Sequence, residues 1–315
     1  MKPAADLGEK EAITLACARL GPKASVRRFT HGSQHFVWEA TAPGHSPEVL
    51  RLTRASDRAL AAAALGWSAR LRPLGLPLPR VLAADIRPHK PFAWIALERL
   101  PGSDLGDEIA ALPRERLDDL AAVLVEHQNR LDFLPDGAGY GFALSEQGPF
   151  RQAHWPEVVE AELTRSRQRI HAGRAVDEAL VERVARAVSL ARDTLLLPPR
   201  PFLHDITTKN VITVNGQLSG IVDVDELCYG DVFYLPGLIG AILTAYDLPE
   251  DYLDAWLWHL GADAAARRRV ALYRSVHALG LLSEIGQRFN RETPVPQGGP
   301  LQERLEAYLA RALPG

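Results

Sequence analysis

Asp205 and Asn210 stand five positions apart in the run "HDITTKN", and Asp223 closes the following stretch "VITVNGQLSGIVD". The Asn-Gly pair inside "VNGQ" signals a tight hairpin between two short β runs. Such a turn returns Asp223 to the neighbourhood of Asn210. Two carboxylates and an amide then form an oxygen-only set, which suits a hard cation such as Mg²⁺ better than Zn²⁺ with its preference for nitrogen and sulfur. A magnesium site of this composition points to a nucleotide. Asp and Asn also build turns and caps, so either residue alone would mean little. Strand alternation places Asp225 on the face of Asp223, where it either assists the metal or serves as a structural acceptor.

The elements that must hold these residues read as two kinds. Up to about Leu100 the chain opens with a helix over Ala4 to Leu20, then "ASVRRF", "HFVWEATA" and "PEVLRLT" alternate or carry β-branched residues between turn-rich "THGSQ" and "PGHS". A helix over "SDRALAAAALGWSARLRPLG" is inserted before the strand-like "LPLPRVLAAD" and "PFAWIALERL". Beyond "PGSDL" the periodicity predicts helices over Arg114 to Leu131, Trp155 to His171, Val176 to Leu195, Phe233 to Tyr246, Asp251 to Leu260, Ala264 to Phe289 and Leu301 to Ala312. Trp155, Trp256 and Trp258 fall at helical positions where core packing is the ordinary role. "RRRV" at Arg267 to Val270 reads as a solvated helix face.

Composition narrows the partners. With 315 residues, 47% of them hydrophobic, the chain exceeds the size at which one core usually stops growing, so two lobes are expected: residues 1–100 and 101–315. A net charge of -3 offers no concentrated basic surface for nucleic acid. Cys17 and Cys228 are far apart and lack metal-site spacing, as reduced thiols would be. His31, His35 and His204 likewise lack ligand spacing and read as surface or core histidines. The N-terminus lacks the apolar run of a secretory signal, and no segment is apolar enough to span a bilayer. The expected location is cytoplasmic, with no membrane and no obligate protein partner.

"HDITTKN" followed by "GIVDVDELCYGD" resembles the catalytic and metal-binding motifs of the aminoglycoside phosphotransferase family, small-molecule kinases with a bilobal protein-kinase-like fold. The resemblance implies an α+β chain with a small β-rich N-terminal lobe that binds nucleotide and a larger, mostly helical C-terminal lobe. It implies transfer of the ATP γ-phosphate to a hydroxyl of a small molecule, with Mg²⁺ as cofactor and GTP not excluded. Asp205 takes the place of the base, and Asn210 and Asp223 those of the metal ligands. "FTHGSQHFVWEA" resembles the phosphate-covering loop, with Gly32 and Ser33 at the phosphates. "VLRLT" resembles the strand that carries the cationic phosphate ligand, here Arg51, and "IALERLPG" the hinge, with the backbone at Glu98 and Leu100 facing the base. Gly230 and Asp231 match the following Gly-Asp pair, and Asp231 reads as structural.

The chain departs from the family pattern in three places. Leu203 and His204 precede Asp205 where the family writes His-Gly. Arg51 stands for a common lysine, and it can bind phosphate in bidentate fashion. Ala64 falls where the family's helix carries a glutamate that orients the cation, so either Asp57 reaches in or Asp223 and phosphate alone hold Arg51. Lys209 is either a contact to the γ-phosphate or an exposed loop lysine. The acceptor site is expected along Leu235 to Arg304, where acids and arginines are mixed, which favours a neutral or weakly charged acceptor over a polycation. A catalytically silent nucleotide-binding or scaffolding protein of the same fold is the competing reading.

Overall fold

A computed structural model describes residues 7–29, 35–174, 176–287 and 295–313. The strand-like runs near the start pair into an antiparallel five-stranded sheet ordered β1-β2-β3-β5-β4. Its strands are β1 (Ser25–Arg28), β2 (Phe36–Thr41), β3 (Glu48–Arg54), β4 (Val81–Asp85) and β5 (Phe92–Glu98). Period-two alternation gives the sheet two usable faces. On one, Phe36, Trp38, Leu50 and Leu52 meet Ala12, Ala16 and Leu20 of helix α1 (Glu9–Leu20), whose spacing of four forms a single apolar stripe. On the other, Ala93 and Ile95 meet Ala61 and Ala64 of helix α2 (Arg58–Leu71). Arg51 and Thr53 alternate with Leu50 and Leu52 and so belong to this second face. Both are buried.

The helical part comprises α3 (Arg114–Asn129), α4 (Trp155–Gly173), α5 (Glu178–Ala191), α6 (Tyr234–Tyr246), α7 (Asp251–His259), α8 (Ala264–Leu282) and α9 (Pro300–Ala312). These helices share one large apolar core, and Trp67 and Leu71 of α2 belong to it as well. The indole N–H of Trp67 donates to the carbonyl of Ala143 at 3.2 Å. Helix α2 thus ties the sheet to the helical part. The expected α+β architecture, β-rich first and mostly helical after, is what the chain adopts.

Two small sheets sit within the helical part. One is β10-β9-β6, from β6 (Ser103–Asp104), β9 (Val211–Val214) and β10 (Gln217–Ile221); the other is β7-β11-β8, from β7 (Gly141–Ala143), β8 (Arg200–Phe202) and β11 (Leu227–Gly230). Strands β9 and β10 form the expected hairpin with Val214 opposite Gln217. Asn215 (φ 52°) and Gly216 (φ 72°) both adopt the left-handed conformation that a two-residue turn of this hand requires. Strands β6, β7 and β11 escape sequence reading because two to four residues are too few to show alternation, and β11 is buried throughout.

Other expectations are corrected. Helix α1 begins at Glu9 with Gly8 as its cap, and expected positions 4–6 lie outside the described residues. The helix expected to run to Phe289 stops at Leu282, expected positions 288–289 lying outside the described residues, and the chain turns at Gly286 (φ 78°), whose N–H donates to Val295 O at 2.9 Å. Trp155 and Trp256 are fully buried, but Trp258 is 74% exposed. Two positions along a helix is a rotation of about 200°, so Trp256 and Trp258 cannot share the core face. Arg269 is also no solvated residue: its Nε donates to Asp231 Oδ2 at 2.7 Å.

Asp231 anchors the end of β11. Its carboxylate also accepts from Tyr273 Oη (2.9 Å) and from the Phe233 N–H (3.1 Å), while Trp155 Nε1 donates to Tyr273 Oη at 2.8 Å. The Trp155 ring lies so close to β11 that a Cβ added at Gly230 would fall 2.0 Å from it. Gly230→Ala is therefore expected to destabilise the chain by about 1–3 kcal/mol through overpacking. Urea unfolding of the variant checks this, and an unchanged midpoint would show that Trp155 can move aside.

Candidate active site

The loop between β8 and β9 carries Asp205 and ends in Asn210. Asn210 holds it closed: its Nδ2 donates to the Asp205 carbonyl at 2.9 Å and to Asp205 Oδ2 at 2.8 Å. No described residue engages the amide oxygen of Asn210. The loop is also pinned at its start, where Gln128 of α3 brackets Leu203. Gln128 Oε1 accepts from the Leu203 N–H at 3.2 Å, and its Nε2 donates to the Leu203 carbonyl at 3.4 Å. A buried backbone segment needs such partners. Gln128 is a residue that sequence reasoning missed, since a single glutamine on a helix carries no signal.

Asp205 reaches solvent on one side, yet the surrounding protein displaces enough water to push its pKa up to about 7. The negative charge of Asp223 adds to the rise, and Lys209 and the Asn210 hydrogen bond oppose it. A carboxyl that ionises near neutrality is suited to accept a proton. Lys209 itself is exposed, so at Asp205 it acts as a charge on the rim. His204 packs edge-on against Phe142, and burial pushes its pKa down to about 4, which keeps it neutral. Its Nε2 lies 3.9 Å from Glu226, a second neighbour that sequence reasoning missed. Burial, then the charges of Asp225 and Glu162, raise the Glu226 pKa to about 7.

The β9–β10 hairpin brings Asp223 back to this loop, and the Val222 N–H donates to the Asn210 carbonyl at 3.0 Å. Asp223 takes a left-handed backbone (φ 64°), which is strained for a residue with a side chain and is found where a site demands it. Its side chain is 45% exposed. An open carboxylate, one residue past the backbone bond to Asn210, and an amide oxygen that no described residue engages are donor types that fit Mg²⁺. His35, Asp223 and Asp225 also bring ligand atoms within 4.8 Å of one another. Asp225, however, is taken: it accepts from His35 Nε2 at 2.6 Å and from Arg51 Nη2 at 2.6 and 2.8 Å. A cation there would have to displace an arginine.

Arg51 also lies 3.1 Å from Asp223 Oδ1. The expectation that either Asp57, or Asp223 and phosphate alone, holds Arg51 is thus corrected: Asp223 does meet it, but Asp225 is its nearest carboxylate. Burial opposes the charge on Arg51, but Asp225 and then Asp223 outweigh it and keep its pKa raised. Burial likewise pushes Asp225 up, and the charge of Arg51 with the bond from His35 overrides it, leaving Asp225 far below the usual carboxylate range. Arg51 and Asp223 line a cleft with Ala64, Leu65 and Ser68 of α2 on one side and Ile95 and Leu97 of β5 on another. Glu98 ends β5 with its N–H on the Arg80 carbonyl (2.9 Å) and its carboxylate on the Arg80 guanidinium. The Leu100 carbonyl accepts from Arg99, and its side chain packs over Gly220. Gly32 and Ser33 lie outside the described residues.

Gln128→Leu would leave the Leu203 N–H and carbonyl buried without partners. We expect it to lower stability by about 1–3 kcal/mol. A denaturation midpoint equal to that of the wild type would show that other groups hold the loop.

No curated protein matches the chain. Among solved structures, it is similar to the aminoglycoside phosphotransferase APH(4)-Ia at 16% identity and a TM-score of 0.66, with 98% of this chain and 100% of that chain covered. A putative fructosamine-3-kinase from Thermobifida fusca YX-ER1 is similar at 17% identity and a TM-score of 0.60, covering 97% and 99%. The ADP-bound aminoglycoside phosphotransferase APH(2'')-Ib is similar at 14% identity and a TM-score of 0.61, covering 98% of each chain. At such identities the likeness is one of fold, and the fold is that of protein-kinase-like small-molecule kinases. The profile of the phosphotransferase enzyme family matches residues 25–273, from the first strand of the sheet through the β8–β9 loop and the hairpin to α8, and the chain therefore belongs to that family.

Proposed function

We propose that the protein transfers the γ-phosphate of ATP to a hydroxyl group of a small molecule, with Mg²⁺ as cofactor. The observation that carries this reading is the meeting of Asp205 and Asn210 with Asp223 opposite a buried Arg51. Phosphoryl transfer asks little covalent chemistry of a protein and depends on positioning and charge. Asp205, with its raised pKa, accepts the proton of the acceptor hydroxyl. Asn210 through its amide oxygen and Asp223 through its open carboxylate hold the cation, whose chemistry when bound is to neutralise charge on the phosphate oxygens. Arg51 supplies a second positive charge at the phosphates.

The nucleotide lies between the sheet and the hairpin, with the backbone from Glu98 to Leu100 at the base and Gly32 and Ser33 over the phosphates. ADP bound to APH(2'')-Ib supports a nucleotide in this fold. Purine contacts at such a hinge are made by backbone, so GTP is a candidate beside ATP. In the segment Leu235 to Arg304, Glu250 is paired with Arg274 and Asp251 with Arg114. Acids already neutralised in this way support a neutral or weakly charged acceptor. No described helix is long and apolar enough to cross a membrane.

Thermal unfolding with Mg·ATP tests the reading. Ligand at a hundredfold excess over Kd stabilises by about 2.7 kcal/mol. Wild type and Asp205→Ala are expected to show this gain, and Asp223→Ala to lose it. Turnover of Asp205→Ala against an accepted alcohol should fall by roughly 10²- to 10⁴-fold. No response in any of the three proteins would overturn the nucleotide site, and binding without turnover against a broad alcohol panel would favour the silent reading.

A further inference from the structure

Arg51 has no acidic partner on α2. Ala64, Leu65 and Ser68 are the residues that α2 presents to the cleft in which Arg51 lies. The carboxylate that meets it instead comes from 174 positions further along the chain. We infer that Asp225 is the positioning residue that orients Arg51 for nucleotide phosphate, and that His35 locks Asp225 in place. This rests on the phosphotransferase reading above.

The two aspartates of "DVD" divide the work by exposure. Asp223 leaves 45% of its side chain open, whereas Asp225 leaves 9%. Both Asp225 oxygens accept from Arg51 Nη2, at 2.6 and 2.8 Å, against 3.1 Å for the contact to Asp223. His35 Nε2 donates to Asp225 Oδ2 at 2.6 Å, and its Nδ1 lies 3.0 Å from the hydroxyl of Thr53, two positions beyond Arg51 on the same face of β3. Asp225 is therefore gripped from both sides, and no oxygen is left for a cation. The Nε of Arg51 is buried and bonded to none of the described residues. With Asp225 removed, the nearest carboxylate to Arg51 would be Asp223, and the pair would compete with the cation for it.

A buried ion pair can be purely structural, and the test separates the two roles. Calorimetric titration of the full chain with Mg·AMP-PNP and with adenosine compares a ligand that has phosphates with one that has none. Asp225→Asn is expected to weaken Mg·AMP-PNP on the order of 10- to 100-fold, the usual effect of losing a group that orients a ligand-binding residue. Adenosine affinity should be unchanged. Adding Ala64→Glu to Asp225→Asn should recover most of the phosphate-dependent affinity by restoring a carboxylate on α2. Should Asp225→Asn not fold, His35→Ala provides the same comparison with the charge of Asp225 intact, and a selective loss for Mg·AMP-PNP is again expected. Equal losses for both ligands, or wild-type affinity for both, would overturn the inference. Failure of the wild type to bind Mg·AMP-PNP would instead overturn the nucleotide reading on which it depends.

Discussion

A guanidinium sealed within a β-sheet is the constraint around which the site is organised. Arg51 is 6% exposed, and a charge removed from water is tolerated only where opposite charge meets it. On strand β3 the acid Glu48 pairs with Arg19 on the opposite face of the sheet, and α2 presents Ala64, Leu65 and Ser68 to the cleft in which Arg51 lies. The carboxylates must come from the other half of the chain. The β9–β10 hairpin delivers them, and its left-handed Asn215 and Gly216 set the register that returns Asp223 and Asp225 to the sheet. Because the strand that begins this hairpin also ends the loop of Asp205 and Asn210, meeting the charge of Arg51 places those two residues as well.

The rest of the fold supports that meeting from two directions. Trp67 joins α2 to the core of the helical part, so the wall of the cleft opposite Asp223 moves with that core. Beyond the hairpin, Asp231 ties the end of β11 to Arg269 and Tyr273 of α8, and Trp155 fills the space over Gly230. These contacts hold the hairpin's exit without entering its chemistry. They explain why a Gly-Asp pair follows the hairpin: the first residue makes room for a ring, and the second collects three donors.

The meeting of Asp205, Asn210 and Asp223 was legible because its signals are local: a five-residue spacing, an Asn-Gly turn and flanking β runs. The sheet and the long helices were legible for the same reason, since periodicity is written within a dozen residues. What was not legible depends on distant partners. Asp225 and His35 meet across 190 positions, and Gln128 and Leu203 across 75. No spacing rule records such pairs, so His35 read as an ordinary histidine and Gln128 drew no notice. Helix ends and faces failed more simply, as at Leu282 and Trp258, where burial is decided by neighbours that the local pattern does not name.

The central claim is that Asn210 and Asp223 hold a cation against nucleotide phosphates while Arg51 approaches them from the sheet. Diffraction from crystals grown with Mn²⁺ and AMP-PNP, with anomalous scattering to locate the ion, tests it most directly. The account predicts Mn²⁺ bound by Asp223, Asn210 and phosphate oxygens, with Arg51 on the phosphates and Asp225 still on Arg51. An ion placed elsewhere, or phosphates bound away from Arg51, would contradict it.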